Sequence, residues 1–292
     1  MSVAVMIDTT KCIGCRSCQV SCKQANGLPG ERTEIEGRGS GYQNPVSLSG
    51  KTLTMVTYKE IEQPGAPGGL KWVFSKRQCM HCEDPACASA CPVTALHKTK
   101  EGPVVYDSEK CMGCRYCVWA CPFGVPTADW DSLAPKIHKC TMCFDRVSNQ
   151  DAPEALNGEQ LSPEARERFA QSQKLPACVK ACTTGALKFG DREKLLAEAR
   201  ERINSNPGKY VSHIYGEKEV GGTSVLYLAS VPFEKLGFHT DLGTRSHPYY
   251  SKIALEVVSP AVMGLGGVLA AVYLLKRRKA EIAGTIEQGK KE

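Results

Sequence analysis

The stretch CIGCRSCQVSC, residues 12–22, holds Cys12, Cys15, Cys18 and Cys22 at steps of three, three and four. The pattern returns at Cys79, Cys82, Cys87 and Cys91, and again at Cys111, Cys114, Cys117 and Cys121. A stretched version follows at Cys140, Cys143, Cys178 and Cys182, and these quartets use all 16 cysteines of the chain. Disulfide stapling suits small secreted domains that lack a core. A chain of 292 residues at 42% hydrophobic composition is long enough for ordinary cores. Cys-x-x-Cys is also commoner as a redox or metal motif than as a structural bridge.

Zinc is the next chemistry to weigh, since tetrahedral thiolate sites often begin with Cys-x-x-Cys. A zinc ribbon draws its ligands from two separated pairs, whereas C-x2-C-x2-C-x3-C followed by Pro is the signature of bacterial ferredoxins. CMGCRYCVWACP, residues 111–122, fits that signature at every position, and Cys91-Pro92 closes the second quartet in the same way. The spacing therefore predicts 4Fe-4S clusters. Three cysteines on one tight loop wrap one face of a cube, while the fourth, on the following short helix, reaches a neighbouring cluster. Four quartets then make two ferredoxin-like modules, each with a crossed pair of clusters.

Spacing alone does not decide which quartets pair. The run ALHKTKEGPVVYDSEK, residues 95–110, reads as strand, glycine-containing turn and strand, the hairpin of a compact dicluster module. That joins quartets two and three and leaves one and four to meet across the chain. The expected ligand sets are Cys12, Cys15, Cys18 and Cys182 (set one); Cys22, Cys140, Cys143 and Cys178 (set two); Cys79, Cys82, Cys87 and Cys121 (set three); and Cys91, Cys111, Cys114 and Cys117 (set four). The expected fold class is α+β. Residues 1–78 with 136–190 form the first module, residues 79–135 the second, residues 191–252 a helix and connection to the membrane, residues 253–275 a transmembrane helix and residues 276–292 a basic tail.

An oxidised cubane with four thiolates carries about two negative charges, which must be offset or hydrogen-bonded. Lys11, Arg16, Lys23, Lys110, Arg115, Lys139 and Lys180 lie in or beside the quartets. The formal net charge of +6 is no sign of nucleic-acid binding, because six basic residues fall in the last seventeen. DREKLLAEARERI, residues 191–203, reads as an amphipathic helix with Asp191 as N-cap and Leu195, Leu196, Ala199 and Ile203 on one face. SPEARERFAQSQK, in the insert between Cys143 and Cys178, predicts a second helix with Ser162 as N-cap and Pro163 in its first turn. His81, His97, His138, His213, His239 and His247 form no ligand-spaced set, and His239 and His247 precede the span where a partner's haem edge would lie. No residue reads as a catalytic acid, base or nucleophile.

IALEVVSPAVMGLGGVLAAVYLL, residues 253–275, carries one charge and is about 34 Å long as a helix, enough to cross a hydrocarbon core of about 30 Å. Gly264, Gly266 and Gly267 allow close approach of another helix, which favours a membrane partner in addition to lipid. Glu256 and Pro260 stand in its first turns, where Pro260 is positioned to kink the helix. KRRK, residues 276–279, places the tail in the cytoplasm by the positive-inside rule and the cluster domain on the outer side. The start MSVAVMIDTTKC has neither a basic n-region nor an adequate apolar stretch. Outer-side placement therefore implies export on a partner that carries a twin-arginine signal; the other reading is a domain facing the cytoplasm.

These motifs resemble the iron-sulfur beta subunits of membrane-bound molybdenum or tungsten formate dehydrogenases, within the four-cluster ferredoxin-like subunits of molybdopterin oxidoreductases. The resemblance rests on IDTTKCIGCRSCQVSCK, CMHCEDPAC, CMGCRYCVWACPFGVP, KCTMCFDRV, PACVKACTTGALKFG, VGGTSVLYL and the C-terminal span. It implies a non-catalytic subunit that relays electrons through four 4Fe-4S clusters, from a formate-oxidising molybdopterin subunit to a membrane cytochrome b and quinone. By position, sets one and two would face the catalytic subunit and sets three and four the membrane. Nitrate reductase-type relatives have Trp at one cysteine of the third quartet; Cys114 is present here, so every cluster is expected to hold four irons. The insert after Cys143 is longer than the family pattern, and Thr183 stands where Pro usually follows the fourth cysteine. The electron-transfer subunits of quinone-linked nickel-iron hydrogenases are the alternative, since VPFEKLG, residues 231–237, resembles them about as well. A zinc-holding scaffold is the reading from another class.

Overall fold

A computed structural model describes residues 2–33, 43–65, 67–148 and 174–288. The helix expected from Ser162 lies outside these residues. The chain divides into two units, Met1–Ser246 and His247–Glu292.

The centre of the first unit is strand β1, Val3–Asp8, whose sequence VAVMID is apolar on both faces. Antiparallel β8 (Leu187–Asp191) and parallel β9 (Val225–Leu228) flank it in a three-stranded sheet ordered β8-β1-β9. The registers pair Ile7 with Leu187 on one side and with Tyr227 on the other. Alternation along the strand divides the core in two. Val5 and Ile7 pack with Tyr215, Tyr227, Phe233 and Phe238. Ala4 and Met6 pack with Leu195, Leu196 and Ala199. Burying each of the larger side chains stabilises the fold by about 1.5–3 kcal/mol.

Short helices lie in or next to the cysteine quartets: α1 (Ser17–Ala25), α2 (Ala86–Ser89), α3 (Tyr116–Ala120), α4 (Phe144–Ser148) and α5 (Ala177–Lys180). Helix α1 packs on α5, and α2 packs on α3. The hairpin expected between Cys91 and Cys111 is present as β4 (Leu96–Lys98) and β5 (Val104–Tyr106), with Leu96 opposite Tyr106. Strands β6 (Thr127–Ala128) and β7 (Ile137–His138) form a smaller antiparallel ladder. A longer hairpin joins β2 (Met55–Glu62) to β3 (Leu70–Arg77), with Val56 opposite Lys76.

The helix expected from Asp191 is α6, Arg192–Ser205, and the Asp191 carboxylate accepts the Lys194 N–H at 3.1 Å. Residues beyond it do more than connect. VLYL of β9 completes the central sheet, and Phe238 meets Tyr215 and Tyr227 edge-on at centroid distances of 4.8 and 4.9 Å. A segment this apolar is buried because its exposure would forfeit that packing.

The second unit is helix α7, His247–Gln288, with Pro260 inside it. Residues His247–Ile282 are long and apolar enough to cross a membrane, at a mean hydropathy of 1.9 with none of the span buried. The helix starts six residues before the apolar run, so Pro260 stands in its fourth turn, past the first turns that the apolar run alone suggests.

Candidate metal centres

The four cysteine loops are built in two matching pairs. In the first and third quartets, Gly14 and Gly113 adopt φ of 71° and 76°, and Arg16 and Arg115 adopt 60° and 64°. Two left-handed residues in each loop curl the chain so that its first three cysteines turn towards one centre. A Cβ at Gly14 would stand 2.9 Å from the Phe74 ring, and one at Gly113 2.8 Å from Pro135. The arginines hold a conformation that costs a non-glycine residue about 1–3 kcal/mol. Each is clamped by an aromatic ring: Arg16 lies 4.7 Å from the Tyr58 centroid and Arg115 4.7 Å from that of Trp130. Arg16 Nε also donates to the Tyr58 hydroxyl at 2.9 Å.

The second and fourth quartets share another device. Each has a single helical turn beginning Pro-Ala-Cys, in which the carbonyls of Pro85 and Pro176 accept N–H groups from the turn they open. Cys91 N–H then donates to Ala88 and Cys182 N–H to Val179, both at 3.1 Å.

These loops gather thiols that are distant in sequence. Burial raises the Cys12 thiol, and Cys182 and Cys15 add to the rise while the Gly14 N–H opposes it. Cys22 is pushed up to about 12 by burial, against Lys76, with further rises from Cys178 and Cys143. Cys82 is raised by burial and then by Cys79, Cys121 and Cys87. Cys117 is pushed up to about 11 by burial and by Cys114, Cys111 and Cys91. Cys22, Cys140, Cys143 and Cys178 line one small pocket, and Cys91, Cys111, Cys114 and Cys117 line another.

Thiols of different quartets also act on one another: Cys178 raises Cys18, Cys79 raises Cys140 and Cys117 raises Cys87. Cys15 and Cys114 are exposed, whereas Cys22, Cys79, Cys87, Cys117, Cys140 and Cys178 are buried.

The donor set is thiol throughout, and backbone N–H groups aimed at sulfur fit an iron-sulfur cubane: Met142 N–H donates to Cys140 Sγ at 3.3 Å and Ala177 N–H to Cys143 Sγ at 3.5 Å. His81, between Cys79 and Cys82, is wholly buried. Its Nδ1 accepts the Val104 N–H at 2.9 Å, so Nε2 carries the proton, and Nε2 has no partner among the described residues. Burial, then Lys139, Lys98 and Lys76, holds its pKa well below the usual histidine range.

The remaining predicted residues separate into roles. Lys23 pairs with Glu31 at 2.8 Å and Lys110 with Asp107 at 2.9 Å, so local carboxylates take these charges. Lys139 is buried and donates to the carbonyls of Val104 and Cys140. His138 bonds Asp129 at 2.9 Å and His213 bonds Glu219 at 2.7 Å, while His97, His239 and His247 are exposed. The residue that sequence reasoning misses is Lys76, buried in β3. Its signal is weak: a lysine in the strand LKWVFSKR, next to Arg77, reads as half of a solvated basic pair.

Residues 70–159 match the 4Fe-4S dicluster domain family. Over 284 residues the chain is 39% identical to a protein of Nitratidesulfovibrio vulgaris, covering 97% of this chain and 69% of that one. It is 34% identical over 311 residues to the hydrogenase-2 operon protein HybA of Escherichia coli O157:H7, covering 96% and 85% of the two chains. With the iron-sulfur subunit of the nitrate-inducible formate dehydrogenase of Escherichia coli K12 it shares 37% identity over 229 residues, 77% of this chain and 67% of that subunit.

Proposed function

The chain belongs to the family of formate dehydrogenase iron-sulfur (beta) subunits, and on that premise we propose that it is the wire between a formate-oxidising molybdenum or tungsten subunit and a membrane cytochrome b. It is an electron-transfer subunit that holds 4Fe-4S clusters. When bound, each cluster supplies one-electron transfer at a potential tuned by hydrogen bonds to sulfur, net charge and solvent exposure. The residues proposed to hold the four clusters are Cys12, Cys15, Cys18 and Cys182; Cys22, Cys140, Cys143 and Cys178; Cys79, Cys82, Cys87 and Cys121; and Cys91, Cys111, Cys114 and Cys117.

What supports this reading is the succession of neighbouring thiols, Cys18 by Cys178, Cys140 by Cys79 and Cys87 by Cys117, with the exposed thiols Cys15 and Cys114 in the two outer sets. A site for substrate chemistry needs one accessible centre, whereas a relay needs two accessible ends and an insulated middle. The chain's own residues supply that insulation: Leu96, Val104 and Ile137 pack around Cys87 and Cys117. Helix α7 supports a single membrane anchor, and KRRK after it supports a cytoplasmic tail with the cluster unit on the outer side.

Formate and hydrogen, offered in parallel to the gently solubilised native membrane complex, test the partner by low-temperature EPR. Reduction of the clusters by formate alone is the expected result. Reduction by hydrogen alone would assign the chain to a nickel-iron hydrogenase instead. A colourless chain holding zinc would exclude the relay altogether.

A further inference from the structure

Lys76 is 2% exposed and ranks among the largest fully enclosed side chains of the described residues. An ammonium moved from water into a protein interior is strongly disfavoured unless opposite charge meets it. The other enclosed lysines are satisfied by ordinary means: Lys139 by two backbone carbonyls, and Lys98 by the Cys82 carbonyl and Glu83. Lys76 Nζ donates to Gln78 Oε1, a neutral acceptor, and no carboxylate among the described residues pairs with it.

What surrounds Lys76 is sulfur. Its side chain lines the same pocket as Cys22, Cys140, Cys143 and Cys178. Val56, paired with Lys76 in the hairpin, donates its N–H to Gln19 Oε1 at 3.3 Å, which brings Cys18, of the neighbouring group, beside the same hairpin. The backbone at this point is fixed from two sides, by the pairing of Lys76 with Val56 and by the Tyr227 hydroxyl, which donates to the Lys76 carbonyl at 2.7 Å.

We propose that Lys76 is a built-in counter-charge shared by the clusters of sets one and two, placed to raise the reduction potentials of both. Reduction adds one negative charge to a cluster that already carries about two, so a fixed cation nearby stabilises the reduced form more than the oxidised one. Low dielectric around an enclosed ammonium strengthens the effect. Lys76 does not line the pocket of set four, and Lys139 is the buried lysine whose charge bears on Cys87 of set three. The inference rests on the ligand sets proposed above.

The experiment is an EPR-monitored redox titration of the full chain in its membrane complex, comparing Lys76→Met and Lys76→Gln with the unsubstituted protein. Two of the four cluster signals are expected to lose at least tenfold in reduced-to-oxidised ratio at a fixed potential, about 59 mV for one electron, while the other two hold. Lys76→Arg, which keeps the charge, is expected to restore them. Loss of those two clusters in both neutral variants, with retention in Lys76→Arg, also supports the counter-charge. Unchanged potentials in a neutral variant that retains about sixteen irons would overturn it while leaving the four-cluster reading intact, as would loss of clusters in all three variants. A native chain without cubane signals would overturn both.

Discussion

The hydroxyl oxygen of Thr183 lies 4.0 Å from Cys15 Sγ, across 168 residues of sequence. Thr183 stands where the second and third quartets have Pro92 and Pro122, which have no side-chain donor. A hydroxyl in contact with a cluster thiolate stabilises the added electron. Thr183→Val is expected to lower the potential of one cluster by about 20–60 mV, the equivalent of one hydrogen bond of about 0.5–1.5 kcal/mol. A redox titration in which no signal moves would remove Thr183 from the tuning of that cluster.

Cys121 tests the crossing of ligands between loops. The Cys82 and Cys87 thiols both feel Cys121, whereas Cys117, four residues away in sequence, feels Cys114, Cys111 and Cys91. Cys121→Ala is therefore expected to abolish or convert the cluster of Cys79, Cys82 and Cys87, leaving the EPR signal of the Cys111 cluster intact. The reverse outcome would show that each quartet closes on itself.

Gly113 holds φ at +76°, and a Cβ there would meet Pro135 at 2.8 Å. Gly113→Ala combines left-handed strain with a clash against the Pro135 ring, a cost of about 1–3 kcal/mol. The loop of Cys111, Cys114 and Cys117 is expected to lose its cluster first, seen as a fall of about one quarter in bound iron. Full iron content with an unchanged thermal midpoint would show that the loop adapts.

Asp8 ends the central strand with its side chain 1% exposed, accepting from Arg202 Nη1 at 2.9 Å, Tyr210 Oη at 3.0 Å and Thr10 Oγ1 at 2.6 Å. Asp8→Ala removes a buried acceptor shared by Arg202, Tyr210 and Thr10 while Arg202 keeps Glu198 at 2.7 Å, and is expected to cost about 1–3 kcal/mol. A denaturant midpoint within error of the native value would contradict this account of the β1 anchor.

Residues after Ser246 form a unit of their own. A chain ending at Ser246 is expected to keep its brown colour and to leave the membrane fraction, because the cysteines all precede that point and the apolar span follows it. Retention of the shortened chain on lipid vesicles lacking any protein would place membrane affinity in the first unit instead.

Features set by short-range spacing are legible in the chain itself. The first three cysteine quartets, the hairpin of Leu96–Lys98 with Val104–Tyr106 and the Asp191-capped helix each depend on residues within about a dozen positions. The central strand is not legible in this way. VAVMID at the chain start carries no alternation, because a strand covered on both faces is apolar throughout and periodicity alone cannot place it. The segment after residue 205 reads as a mere connection for a similar reason: Val225 of β9 meets Val5 of β1 only through a parallel pairing that spans most of the chain.

What the sequence determined by itself is the chemistry: thiolates in number and spacing for cubane clusters, and a span long enough for a membrane, since both follow from local covalent geometry. Only the tertiary structure decided which groups surround that chemistry. Lys76, His81 and Thr183 look like ordinary surface residues in the chain. The burial of Lys76 and His81, and the sulfur neighbours of Lys76 and Thr183, arise from strand pairing and loop packing over long separations, where the desolvation of one charge depends on everything folded around it.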